Sequence, residues 1–126
     1  MDDADFKKLT PGRIIRAGVL DPQGRGWKVR PLVVLTQPDS NDPEAEFRVA
    51  AGSTQSPVEG NESLAVEVPG HHQPGGHPRT GLSETTWFYA FWLCTVKVGE
   101  VERFNKFVPE HLFAELRTLI ESAGRQ

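Results

Sequence analysis

Residues 28–36 read KVRPLVVLT (Lys28 to Thr36), and from Pro31 to Leu35 the run is apolar without interruption. A half-exposed strand alternates apolar and polar residues, so an unbroken run this short marks a strand covered on both faces. Pro31 suits the first position of such a strand, where a missing N–H does little harm. It also biases Arg30 toward an extended backbone and away from helix. A permanent cation therefore stands at the mouth of the most hydrophobic segment of the chain. Two readings fit it: a charge held rigidly at the edge of a cleft, or the partner of an acid such as Asp21 or Glu84 in an ion pair that caps the fold.

Working outward from this strand, the neighbours are short and rich in β-forming residues. PGRIIRAGVL predicts a strand in which Ile14, Arg16 and Gly18 alternate against Ile15, Ala17 and Val19. DPQGRGWK carries Asp-Pro and glycines and reads as a loop. FRVAAGSTQS is a third strand ending near Gly52, SLAVEVP a fourth, TTWFYAFWLCTVKV a long and bent central one, and GEVERFNKFV another. PEHLFAELRTLIESAG changes period. Pro109 marks a helix start with Glu110 in its first turn, and Leu112, Phe113, Leu116, Leu119 and Ile120 form one apolar stripe. The expectation is a mainly β fold with a C-terminal α-helix, a small curved barrel packed by that helix.

The 126 residues fit one domain, spanning 1–126, with the charged opening MDDADFKKLT (1–10) as a flexible end. A net charge of −3 argues against a generally basic nucleic-acid coat, although a local cationic cleft is compatible with it. Cys94 is the single cysteine, so neither an intrachain disulfide nor a thiolate cluster can form, and its setting in FWLCT predicts a buried, inert thiol. No segment has the length and apolarity to span a bilayer, and the N-terminus does not read as a secretion signal. A cytoplasmic domain without membrane contact is expected.

Taken in order, PGRIIRA, the Gly-rich loop, VRPLVVLT, VAAGST, TGL and a long strand running into a helix resemble the PemK/MazF toxin family, from about Pro11 to Ala123. The most specific element is the Gly-rich loop leading into Arg-Pro and the apolar strand. The resemblance implies an SH3-like barrel related to the plasmid toxin CcdB. It further implies a homodimeric, metal-independent endoribonuclease that cleaves single-stranded RNA, needs no cofactor, and is silenced by a cognate antitoxin. On this resemblance Arg30 and Thr54 are the active-site residues. One departure is chemical: the family loop often carries an acid before Arg-Pro, and GRGWKVRP has none.

Cleavage of RNA without metal uses the substrate's own 2′-hydroxyl as nucleophile, and an arginine fork suits the developing charge on the phosphate. Arg25, Trp27 and Lys28 interleave cations with an indole beside Arg30, a pattern for phosphate contact and base stacking, though Trp27 can equally anchor the loop on the barrel. Ser53 and Gln55 flank Thr54 and can bind backbone or base edges; Arg79 can face the same groove. His71, His72 and His77 titrate near neutrality and are candidate proton carriers. Without a cysteine nearby, and with two histidines adjacent, this loop is not read as a metal site. The aromatic set Trp87, Phe88, Phe91 and Trp92 reads as core or dimer interface. The competing functions are a non-catalytic PemK-like module binding nucleic acid or protein, and a CcdB-like gyrase poison. The terminal ESAGRQ lacks the Trp-Gly-Ile-like tail the latter would carry.

Overall fold

A computed structural model describes residues 1–70 and 80–123; the candidate residues His71, His72, His77 and Arg79 lie outside them. The KVRPLVVLT strand, β2 (Lys28–Val34), runs through the middle of a six-stranded sheet. Its neighbours are β1 (Arg13–Val19) and β3 (Glu46–Ser53), and the sheet is completed by β4 (Ala65–Val68), β5 (Thr86–Lys97) and β6 (Arg103–Phe107) in the order β4-β5-β3-β2-β1-β6. Every neighbouring pair is antiparallel.

The apolar run has the expected cause. Leu32 and Val34 enter one core with Ile15, Ala17, Phe47 and Trp92. Val33 enters a second core on the other face, with Ile14, Phe88 and Leu116. All three β2 residues are fully buried. A strand covered on both sides has no solvent face on which to place a polar residue. The second core is closed by the helix α2 (Glu110–Ala123), whose stripe Leu112, Phe113, Leu116, Leu119 and Ile120 lies against it. Pro109 stands just ahead of α2, and its carbonyl accepts the N–H groups of Leu112 and Phe113, both at 3.0 Å.

The predicted bend of the central strand is a bulge. Between the Ala50–Leu93 and Gly52–Phe88 pairs, Ala51 of β3 is opposed by Tyr89, Ala90, Phe91 and Trp92 of β5. Extra residues in one strand sharpen its twist and re-aim its side chains. The sheet curls into a half-barrel, and three aromatic rings collect beside the N-terminal end of β2. Within the charged opening, a short helix α1 (Asp3–Phe6) is capped by Asp2, whose carboxylate accepts the Asp5 N–H at 2.7 Å. Leu9 is fully buried in the first core, and Phe6 packs on it. Among the described residues no helix is long and apolar enough to cross a membrane.

Candidate active site

Burial falls along β2 toward its start: Leu32 and Pro31 are buried, Arg30 is half-buried, and Val29 and Lys28 are exposed. Arg30 is thus the residue at which the strand passes from buried to exposed, paired with Ala17 of β1. Its guanidinium carbon lies 4.9 Å from the ring centroid of Trp92, a cation–π seat. The indole beneath is itself fixed, since Trp92 Nε1 donates to the Leu20 carbonyl at 3.1 Å. Arg30 Nε is buried and has no hydrogen-bond partner. Leaving such a donor unpaired costs about 1–3 kcal/mol, so its presence calls for an explanation.

The ion-pair reading of Arg30 is not what the structure holds. Among the described residues the ion pairs are Lys8–Asp5 and Lys97–Glu44. Asp21 is turned to its own loop, its Oδ1 accepting the backbone N–H groups of Gln23 at 3.0 Å and Arg25 at 2.7 Å. The cation at the strand mouth stands ready for an external anion.

A hydroxyl residue lines the same hollows as Arg30. The β2–β3 register pairs Leu32 with Ala51 and Val33 with Ala50. Continued by two residues within both strands, it sets Arg30 against Ser53, the last residue of β3. Directly opposed residues share a sheet face, and a step of one reverses the face. Ser53 is therefore the hydroxyl aligned with Arg30, one position before the Thr54 singled out by resemblance. Ser53 Oγ accepts the Gln55 N–H at 3.1 Å, which leaves its own O–H to donate outward.

Around this pair lies a track of linked hollows. Arg30, Ser53 and Gln55 line one of about 310 Å³, walled by Tyr89, Phe91 and Trp92. The same three residues line a second of about 280 Å³, which adds Arg16, Thr54 and Glu84. Thr54 and Glu84 continue into a third, with Glu67 and Trp87. In the other direction, Phe91 and Trp92 pass into a hollow holding Trp27. Arg30 and Ser53 sit on the ridge where the first two meet.

Arg30, Lys28, Ser53, Thr54 and Gln55 are thus brought together. Trp27 is set apart in the outer hollow, its indole against Gly18 and still 62 % exposed, so it both anchors the loop and presents a ring. Arg25 is exposed and is not among the residues lining the track; its backbone closes the Asp21 turn. Three members of the site were not singled out for it by sequence reasoning. Arg16 comes from β1, Glu84 precedes β5, and Phe91, expected in core or interface, is 42 % exposed on the bulge. Arg16 had a legible signal, being a cation in the apolar register of Ile14.

No family model matches the sequence, and no curated protein does. Solved structures do. The Mycobacterium tuberculosis toxin MazF-mt6 superposes with a TM-score of 0.62 at 21% identity, covering 90% of this chain and 97% of that one. This chain has the MazF fold. A mycobacterial endoribonuclease in complex with its cognate antitoxin gives a TM-score of 0.65 at 14% identity, over 92% of this chain and 94% of that one. MazF from Deinococcus radiodurans gives 0.64 at 15%, over 93% and 96%. The MazF fold accounts for the half-barrel of six strands with its C-terminal helix, and the resemblance read from Pro11 to Ala123 holds at the level of architecture.

Proposed function

We propose that this protein is a metal-independent endoribonuclease of the toxin–antitoxin type, cutting single-stranded RNA in the cytoplasm. One observation carries the reading: a guanidinium seated on Trp92, with no carboxylate partner among the described residues, where two hollows of an open track share it with Ser53. When the 2′-hydroxyl attacks the adjacent phosphorus, the pentacoordinate transition state carries more negative charge than the ground state. Arg30 donates to its non-bridging oxygens, and a donor already in place typically contributes ~3 kcal/mol. The Ser53 hydroxyl is placed to share that load, with Thr54 in the adjoining hollow. Arg16 and Lys28 serve flanking phosphates, which explains how a chain of net charge −3 holds a polyanion.

The remaining hollows suit bases. Phe91, exposed on the bulge between two of them, offers a ring for stacking, and Gln55 an amide for a base edge. Base stacking on an aromatic side chain contributes about 1–3 kcal/mol. Phe91→Ala is accordingly expected to raise KM for an RNA oligonucleotide about tenfold, with kcat changed less. Titrating cleavage rate against substrate concentration checks this; an unchanged KM removes Phe91 from the site. By analogy with the antitoxin-bound neighbour, the same track is where an acidic antitoxin segment would compete with RNA, on a homodimeric toxin.

The decisive experiment is cleavage of a pool of randomised single-stranded RNA by the purified protein in excess EDTA. Cuts at a restricted set of sequences are expected. RNA that is bound but never cut would instead establish a binding module, and the proposal would fall.

A further inference from the structure

Cleavage through the 2′-hydroxyl needs a group to take its proton, and neither an arginine nor a lysine at neutral pH can do so. In the hollow that Arg30, Ser53 and Thr54 share, the described lining residues include one carboxylate, Glu84. The other charges there are Arg16 from β1, and Lys28 and Arg30 from β2; Glu67 of β4 lies with Glu84 and Thr54 in the next hollow. Glu84 is exposed, and among the described residues its carboxylate accepts no hydrogen bond and joins no ion pair. Asp21, by contrast, lines the other hollow, and its Oδ1 is engaged by the backbone of its own turn.

The backbone of Glu84 is held. Its carbonyl accepts the Thr86 hydroxyl at 3.2 Å. On its other side, Gly70 lies so near that an added Cβ would stand 2.8 Å from the Glu84 carbonyl carbon. A carboxylate lining a hollow that otherwise presents cations to a phosphodiester would weaken binding if it had no further use.

We infer that Glu84 is the general base of the reaction, an assignment that rests on the endoribonuclease reading. Its carboxylate removes the 2′-hydroxyl proton as the O2′–P bond forms and the P–O5′ bond breaks. The departing O5′ is protonated by solvent, and Glu84 then gives its proton to solvent. The products are a 2′,3′-cyclic phosphate and a 5′-hydroxyl end, with no water consumed.

The test compares wild type, Glu84→Gln, Glu84→Ala and Arg30→Ala on one RNA oligonucleotide in EDTA, each shown folded by thermal melting. Glu84→Gln is expected to lower kcat about 10²-fold or more, the scale of general-base catalysis, with KM equal to or below that of wild type. The acid limb of the wild-type kcat/KM profile should vanish in the variant. Added formate should restore part of the rate to Glu84→Ala. A Glu84→Gln enzyme that keeps the wild-type rate, or an acid limb near pH ~6.5 that survives the substitution, overturns the assignment; with Arg30→Ala inactive, the endoribonuclease reading survives it. Absence of cleavage by wild type removes both.

Discussion

Arg30→Ala is expected to lower kcat/KM for RNA cleavage by about 10²–10³-fold, the loss found when one preorganised donor is taken from a developing oxyanion. The melting temperature should stay within a few degrees of wild type, because two structural effects oppose each other. Removing the guanidinium forfeits its contact with the Trp92 ring, a contribution of about 0.5–1 kcal/mol at a partly exposed site. It also removes a buried Nε that has no partner, whose unpaired state carries a penalty of similar or larger size. A guanidinium that adds little to stability where it stands, and is held there by a fixed indole, fits selection for work on a ligand rather than for folding. Arg30→Lys sharpens the test. Lysine keeps the charge but loses the planar fork that meets two phosphate oxygens together. Its activity should therefore fall well below wild type, while RNA binding at low salt is largely retained. Gel-shift titration beside a cleavage time course separates these effects. Full cleavage by the alanine variant would take Arg30 out of the mechanism, and unfolding would restore its reading as a structural cap.

How far these residues could be read without coordinates depended on the physical kind of signal each carries. The fold was legible because burial leaves a trace in period. Leu32–Val34 lacks alternation since both faces are covered, and Leu112, Phe113, Leu116, Leu119 and Ile120 repeat with a helical stripe since one face of α2 is. Arg30 was legible because a cation next to Pro31 contradicts its surroundings. The hydroxyl was harder. Ser53 and Thr54 are adjacent and alike in chemistry, and only strand register tells which of them shares a face with Arg30. Arg16 carried one local sign, a cation in the apolar register of Ile14, but Glu84 reaches the cleft from a segment far along the chain, and no local pattern announces that meeting. Phe91 was hidden by its company, since TWFYAFW reads as core or dimer interface throughout, and its place between two hollows shows only once the bulge opposite Ala51 is known.

The seat of Ser53 has its own test in Gly52. Ser53 follows Gly52, and Gly52 pairs with Phe88 across the sheet at the point where the bulge ends. A Cβ on Gly52 would lie 2.7 Å from Phe88 Cδ1 and 2.9 Å from Thr86 Cγ2. Phe88 is fully buried and Thr86 is 1 % exposed, so neither has room to retreat. Gly52→Ala should therefore destabilise the fold by about 1–3 kcal/mol through overpacking. The strain has one outlet, the separation of the end of β3 from β5, which carries Ser53 and the Ser53–Gln55 turn away from Arg30. A displacement of about 1 Å at a reacting group can cost ~10²-fold in rate, so cleavage should drop by that order even at temperatures where the variant is folded. Phe88→Ala alone should cost about 3–5 kcal/mol, as emptying a buried aromatic site does. Combined with Gly52→Ala, however, it vacates the space the new methyl needs. The pair should then be less damaging than the separate losses added together, by at least about 0.5 kcal/mol in chemical denaturation. Cleavage below the melting transition should recover above that of Gly52→Ala. Strict additivity in stability, together with wild-type cleavage by Gly52→Ala, would show that the close approach of these strands does not set the position of Ser53.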